Sequence, residues 1–273
     1  MGRTLYLNEN KNDLWVLRDG PSVRIKGRER ATQRVPVRLL SRVVIIGNVR
    51  LDAGAITLFT ENDIPVVFMN RRAEDVAVAI PYNHRLPTHY REQKIFLESE
   101  DNICRFEDWA NTKRMVMQVN MLKRLHRPIA DKLTYGIGEG NYQKLLSQMK
   151  PHNEWKWMLV TGIATNLFRG LIIEYLLKAD IDPHLGVVHR RHNFGLALDI
   201  CYIMGAESDM QSIQFFGCSK KNSYMKMKGK NWVLTDTGMR NIIQRFENRR
   251  AAMKNMVEDI IDELFELMRE LRT

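Results

Sequence analysis

Three residues in the second half of the sequence have the types and settings from which a metal site or an acid–base site could be built. Glu139 stands between two glycines in "YGIGEGNYQKLL", just before a predicted helix, and glycines permit close approach of the backbone to a ligand. His189 ends the apolar run of "DPHLGVVH", and Asp199 closes "LALD" before Ile200. A carboxylate among apolar neighbours needs a partner, because burying it alone is costly. That partner could be a metal ion, a base or a basic side chain.

Each of these residues also has an ordinary structural explanation. Glu139 could be an acid that stabilises a helix N-terminus. His189 could be a core histidine whose hydrogen bonds are satisfied within the protein. Asp199 could be an ion-pair partner of Arg190 or Arg191, which lie close to it in the sequence. None of the three residues indicates a site by itself.

The charge of the chain indicates a polyanionic partner. Lys and Arg number 42 against 32 Asp and Glu, so the formal net charge is +10, and a nucleic acid is the expected ligand. Solvated surface, RNA or an anionic membrane would give a similar pattern. The basic residues cluster in five segments, 24–34, 113–127, 190–191, 220–230 and 240–250. The predicted DNA-binding residues are Arg190, Arg191, Lys220, Lys221, Lys226, Lys228 and Lys230.

The pattern of apolar residues changes near residues 81–90, and this change predicts two domains. Before it, short β-branched runs such as "RVVIIGNV" and "IPVVFM" alternate with turn residues, and only "LDAGAITLFTEN" favours a helix. After it, long helical patterns dominate. The predicted fold class is therefore α+β: a β-rich N-terminal domain with one helix (1–83), a linker (84–90), and a larger all-helical catalytic domain (91–273).

The sequence favours a cytoplasmic protein. No apolar run approaches the ~18 residues of a membrane span, and the first residues lack the pattern of a secretory signal. The three cysteines are far apart and form no Cys-x-x-Cys pair, which argues against disulfides and structural zinc. We therefore expect no membrane partner and a cytoplasmic location.

Taken together and in order, these segments resemble the CRISPR-associated integrase of spacer adaptation, the first-numbered Cas family. The resemblance is carried by "GIGEGN", "DPHLGVVH" and "LALD", and it extends to "VPVRLLSRVVIIGNVRLDAGAITLFTENDIPVVFM" and "WVLTDTGMRNIIQRFENR". It implies a metal-dependent enzyme that inserts short DNA fragments as spacers at the CRISPR repeat by transesterification. It also implies endonuclease activity and the reverse, disintegration reaction. Nearly the whole chain is covered.

The same resemblance implies a cofactor and partners. Glu139, His189 and Asp199 would hold Mg²⁺ or Mn²⁺, ions that suit a site of two carboxylates and one imidazole. A bound divalent ion can activate the attacking hydroxyl, polarise the phosphoryl oxygen and stabilise the leaving oxygen. The family resemblance implies a homodimer formed through the β-rich domain and an assembly of two dimers. A small ferredoxin-like CRISPR protein often bridges them.

One position departs from the family pattern. Many relatives carry a second acid three residues after the first, one helical turn later, and it is often the metal ligand; here that position is Tyr202. Either Asp199 takes over coordination, the helix is shifted, or the metal site is weak. We predict that Asp199 coordinates. Two rival functions remain, a repair or junction-resolving nuclease and a catalytically weakened DNA-binding subunit.

Overall fold

A computed structural model of the chain describes residues 2–8, 14–27, 30–70, 72, 74–82, 85–125, 136–217, 223–229 and 231–270. The chain divides into two compact units, Met1–Leu86 and Pro87–Thr273. The predicted domain limits at residues 83 and 91 stay a prediction. The predicted α+β fold class is confirmed, since strands dominate the first unit and helices the second.

Among its described residues, the N-terminal unit contains two four-stranded sheets, one α-helix and a short 3-10 helix, Val37–Leu39. The first sheet has the order β1-β5-β7-β8, in which β1, β5 and β7 are parallel and β8 is antiparallel to β7; the second has the order β4-β3-β2-β6. The elements are β1 (Arg3–Asn8), β2 (Leu14–Asp19), β3 (Ser22–Gly27), β4 (Arg30–Pro36), β5 (Leu40–Ile46), β6 (Arg50–Leu51), α1 (Ala53–Thr60), β7 (Val66–Met69) and β8 (Asp75–Ala79).

The core of this unit explains why the predicted helix forms where it does. Asp52 precedes α1, and its carboxylate accepts a hydrogen bond of 3.0 Å from the amide of Gly54, so it caps the helix N-terminus. Phe59 of α1 is fully buried together with Val16 of β2 and Val43 of β5. The single helix thus packs on the apolar faces that the alternating strands supply.

The C-terminal unit contains seven helices and one hairpin among its described residues. Ser99 caps the long helix Glu100–Arg124, because its hydroxyl accepts a hydrogen bond from the amide of Asn102. The hairpin joins two antiparallel strands, and the helical prediction for this domain did not include it. The elements are α2 (Tyr90–Leu97), α3 (Glu100–Arg124), α4 (Glu139–Ser147), α5 (Glu154–Lys178), α6 (Gly195–Ile203), α7 (Gly205–Phe216), β9 (Met225–Lys228), β10 (Asn231–Leu234) and α8 (Asp236–Glu270).

Helix α5 lies at the centre of this unit and packs against α6, α7 and α8. Among the described helices, it alone is long and apolar enough to cross a membrane, yet 67% of its most apolar window is buried inside the protein. Its apolar residues surround the helix instead of forming one stripe, as expected for a helix enclosed by others. Helix α5 is therefore the core helix on which α6, the helix of Asp199, packs.

Candidate active site

The loop that carries His189 folds back tightly onto the start of α6, and two glycines make this possible. A Cβ on Gly186 would lie 2.4 Å from the carbonyl carbon of Gly195, and one on Gly195 would lie 2.5 Å from the carbonyl oxygen of His189. Because real Cβ atoms do not approach other atoms so closely, a side chain at either position would push the loop away. The close approach directs the amides of Val187–His189 toward the carboxylate of Asp199 in α6.

The carboxylate of Asp199 accepts hydrogen bonds from all three of these amides. Its Oδ2 accepts hydrogen bonds from the amides of Val187 at 2.6 Å and Val188 at 3.3 Å. Its Oδ1 accepts from the amide of His189 at 3.0 Å and contacts Nδ1 of the same residue at 2.6 Å. The side chain is fully buried. Four N–H groups fill the acceptor positions of one carboxylate, so the charge is stabilised without a metal or an arginine.

Asp199 thereby sets the orientation of His189. With Nδ1–H donated to the carboxylate, the other ring nitrogen, Nε2, is the one that can serve a ligand. The imidazole side chain is 32% exposed, so solvent or a substrate can reach the ring. Nearby Arg190 donates its Nε to the carbonyl of Val187 at 2.8 Å, and not to Asp199. The contacts of Asp199 thus do not include the ion pair with Arg190 or Arg191 that was its alternative explanation. The predicted role as a direct metal ligand does not fit these contacts either.

Glu139 is the first residue of α4, and side-chain hydrogen-bond donors surround its carboxylate. Its Oε2 accepts from Arg114 Nε at 3.2 Å and from Gln118 Nε2 at 2.7 Å. Its Oε1 accepts from Arg114 at 3.2 Å and from Gln143 Nε2 at 2.7 Å. Arg114 and Gln118 lie four residues apart on α3, and therefore on one face of that helix. The carboxylate therefore points at hydrogen-bond donors of the protein.

Arg114 connects Glu139 to the helix that carries Asp199. Its third nitrogen donates to the carbonyl of Tyr202 at 2.5 Å, and its guanidinium lies over the Tyr202 ring at 4.4 Å from the centroid. The Tyr202 hydroxyl donates to Asn111 at 2.8 Å. A Cβ at position 205 would lie 2.8 Å from the guanidinium, so Gly205 leaves room for it. The structure thus links Glu139 to α6 through one arginine.

A second, buried pair anchors α4 to α7. The hydroxyl of Tyr142, one turn after Glu139, donates to Asp209 at 2.7 Å. Tyr142 is fully buried, and burial raises the pKa of Asp209 above its usual range, despite the hydrogen bond from Tyr142. The pair fixes the start of α4 and therefore the place of Glu139.

The sequence analysis missed Arg114, Gln118 and Asp209. Arg114 and Gln118 could have been noticed because they lie four residues apart within the basic segment 113–127. Such a spacing also occurs on ordinary exposed helix faces, so it does not single out a site. Their contacts with Glu139 span 25 and 21 residues.

The donors around Glu139 change its titration. Burial by itself would raise the pKa, but hydrogen bonds from Arg114, Gln143 and Gln118 together with the Arg114 charge outweigh it and lower the pKa to about 2. The carboxylate therefore stays ionised throughout the neutral and mildly acidic range. Its side chain is 51% exposed, so solvent screens part of this stabilisation.

This shift predicts a pH dependence of stability. A carboxyl whose folded-state pKa lies below its unfolded value stabilises the fold above the unfolded pKa, about 4.5, and loses that contribution toward about 2. The difference in free energy of unfolding between wild type and Glu139→Gln should be constant above pH ~5 and shrink toward pH ~2. Urea unfolding of both proteins at several pH values checks this. A difference that does not change with pH would contradict it.

The arrangement does not fit a divalent metal ion. Both oxygens of Glu139 are engaged by a guanidinium, whose positive charge opposes a second cation. Both oxygens of Asp199 are closed by N–H donors, and Tyr202 offers a neutral phenol already bonded to Asn111. Within the described residues, no group of three or more His, Cys, Asp or Glu side chains is placed to hold a metal. The structure brings His189 and Asp199 together and gives Glu139 a different partner.

The basic clusters divide into internal and exposed residues. Arg124 and Arg249 pair with the buried Glu207, and Lys113 pairs with Glu263 at 2.6 Å. These pairs link helices, so parts of the 113–127 and 240–250 segments are structural. The exposed members of the predicted DNA-binding set are Arg190, Arg191, Lys226 and Lys228. The other three, Lys220, Lys221 and Lys230, lie outside the described residues.

Comparisons with solved structures identify the fold as one found in Cas1 proteins. The chain is similar to a Cas1 protein from Thermotoga maritima, with 15% identity, 97% of each chain covered and a TM-score of 0.81. It is similar to a casposase bound to integration product, with 16% identity, 91% of this chain and 82% of the other covered, and a TM-score of 0.71. A crystal structure of TtCas1 matches at 14% identity and 98% coverage of each chain, with a TM-score of 0.65.

A family model establishes the membership. Residues 5–153 match the model of the CRISPR associated protein Cas1, and this segment is more than half of the chain. The chain belongs to the Cas1 family. The matched segment includes Glu139 but ends before His189 and Asp199, whose placement rests on the structure. No curated protein matches the sequence.

Proposed function

We propose that this protein acts in CRISPR spacer acquisition, where it binds a short duplex DNA fragment and joins its 3′-hydroxyl end to the CRISPR repeat by transesterification. The observation that carries the proposal is the His189–Asp199 pair, with contact of 2.6 Å, on a Cas1-family chain. Support also comes from structural similarity to a casposase bound to integration product and to a TtCas1–DNA complex.

His189 is the residue best placed for proton transfer in this reaction. A ring held through Nδ1 presents Nε2 in a fixed direction, and a neutral imidazole nitrogen can accept the proton of an attacking hydroxyl. The oxygen of that hydroxyl forms the new bond to phosphorus, and the displaced 3′-oxygen of the target strand leaves. Asp199 is a positioning residue, because it acts on the ring and on the loop.

The cofactor and the assembly stay predictions. That Glu139, His189 and Asp199 hold Mg²⁺ or Mn²⁺, an ion that could polarise the phosphoryl oxygen, stays a prediction. The described contacts of Glu139 would first have to change. A homodimer, an assembly of two dimers, a bridging ferredoxin-like CRISPR protein and a cytoplasmic location are also proposed. A solved complex of Cas6-RT-Cas1 with Cas2 is among the similar structures, at 13% identity and a TM-score of 0.74.

The exposed hairpin lysines are predicted to contact DNA phosphates. Lys226 and Lys228 are two residues apart on β9 and therefore lie on one face of the strand. Replacing both by Ala should make the log–log salt dependence of DNA binding shallower by about 1.8, at ~0.9 for each lost phosphate contact. Fluorescence anisotropy with a labelled duplex at several salt concentrations measures the slope. Lys94→Ala, an exposed lysine on α2, is the control, and an equal change there would contradict the assignment.

A strand-joining experiment tests the proposed function. Purified protein is incubated with a labelled 3′-hydroxyl duplex and a plasmid that carries a CRISPR repeat, with Mg²⁺, with Mn²⁺, and with a chelator. We expect labelled plasmid from wild type. If no product forms under any condition while the protein still binds the duplex, the joining activity is excluded.

A second candidate function is a DNA-binding subunit that does not join DNA. It is favoured by one specific observation, the engagement of both Glu139 oxygens by Arg114 beside the phenol of Tyr202. Duplex binding without product in the strand-joining experiment would identify this function.

A further inference from the structure

We infer that Arg114 is the resident cation of the Glu139 site and takes the place that a divalent metal ion would otherwise occupy. This inference rests on the proposed function only for assigning Glu139 to the DNA-handling site. It concerns which positive charge that site holds. In metal-dependent phosphoryl transfer the ion neutralises carboxylates and phosphate oxygens, and a guanidinium can do the same with fixed geometry.

The contacts of Arg114 resemble those of a built site more than those of a surface ion pair. The guanidinium contacts Glu139 through two nitrogens, each at 3.2 Å, and its third nitrogen donates to the Tyr202 carbonyl at 2.5 Å. The side chain is only 15% exposed. Exposed arginines usually hold a carboxylate by one weak and screened contact. Here three nitrogens have acceptors on two different helices.

The neighbouring residues are complementary to an arginine and unsuited to a metal ion. The Tyr202 ring lies against the guanidinium plane, a contact that stabilises a flat, weakly hydrated cation. Gly205 leaves space that any side chain would fill. A carboxylate at position 202 would suit a divalent ion, whereas the phenol suits Arg114. The tyrosine and the arginine therefore belong to one arrangement.

The charge of Glu139 is matched within the protein. Gln118 is fully buried on α3 and donates to Glu139 at 2.7 Å, and Gln143 donates at 2.7 Å from one turn further along α4. These amides leave no carboxylate oxygen without a protein donor. A metal ion at Glu139 would have to displace charged and neutral donors together, so we expect metal binding only when Arg114 is changed.

A metal titration without DNA tests the inference. Mn²⁺ binding to the whole protein is followed by electron paramagnetic resonance for wild type, Arg114→Met and Arg114→Gln. Methionine keeps the aliphatic volume, and glutamine keeps an N–H donor for the Tyr202 carbonyl without the charge. We expect no saturable Mn²⁺ site in wild type. In each folded variant we expect a saturable site, with an affinity for Mn²⁺ about 10- to 100-fold higher than that of the wild-type protein.

Two further variants show where the metal binds. Arg105 lies on the same helix as Arg114 but pairs with Asp101 and not with Glu139. The Arg105→Met variant should therefore bind Mn²⁺ as wild type does. Glu139→Gln combined with Arg114→Met should lose the gained site. The inference is overturned if wild type binds Mn²⁺ as tightly as the Arg114 variants, or if the gained site persists in the double variant. Because no DNA is present, failure here is distinct from failure of the strand-joining experiment.

Discussion

Replacement of Asp199 by Asn is expected to lower the free energy of unfolding by about 3 kcal/mol, because it breaks a buried and fully bonded carboxylate. Asparagine offers one acceptor oxygen and turns an NH₂ group toward backbone N–H donors. The amides of Val187, Val188 or His189 would then be buried without an acceptor. Thermal unfolding should show a decrease in Tm of about 6–12 °C.

Asp182→Asn is the matched control for this result. Asp182 lies in the same loop, and its carboxylate accepts a hydrogen bond from the amide of His184 at 2.8 Å in an exposed setting. Its replacement should cost less than about 1 kcal/mol. If Asp199→Asn is no more destabilising than Asp182→Asn, the carboxylate does not hold the loop. An Asp199 that served only as a metal ligand would affect activity alone, whereas these buried hydrogen bonds add a cost in stability.

Replacement of His189 by Ala is expected to reduce DNA joining at least about 100-fold while duplex binding stays near the wild-type level. The imidazole presents Nε2 to the substrate, and alanine leaves no group that can accept the proton. The ring contributes one of the four hydrogen bonds to Asp199, and the three amide donors remain. The measurement is the initial rate of plasmid labelling, with anisotropy on the same duplex for binding.

His192→Ala is the control for His189→Ala. Its ring lies 5.8 Å from the His189 ring, and the residue is exposed in the same loop. It should join DNA at close to the wild-type rate. Normal joining by His189→Ala would remove His189 from the mechanism. Equal losses in both variants would point to the loop and away from the ring.

Periodicity predicted the elements that bury an apolar face. The alternating strands of the first unit, α1 and the long helices α5 and α8 all follow from spacing that repeats every two or every three to four residues. The hairpin of Met225–Leu234 was missed, although its lysines and methionines alternate. Those lysines were interpreted only as a basic cluster, and the turn depends on Gly229, whose φ of 62° is left-handed.

The sequence indicated which residues belong to the candidate site, but not which residues they contact. The local strings around Glu139, His189 and Asp199 marked chemically unusual residues, and two of them do meet. The partner of Glu139 could not be predicted, because Arg114 is 25 residues away from it and 88 from Tyr202. Such contacts are decided by how α3, α4 and α6 pack. A single sequence contains no periodic signal for them.

The shared carboxylate of Asp199 also makes the site observable in solution. Three backbone amide protons and one ring proton depend on the same two oxygen atoms. In a nuclear magnetic resonance spectrum, their four signals should therefore shift together when a molecule engages the far side of the His189 ring. The loop would act as a spectroscopic reporter of occupancy, read without any label on the DNA.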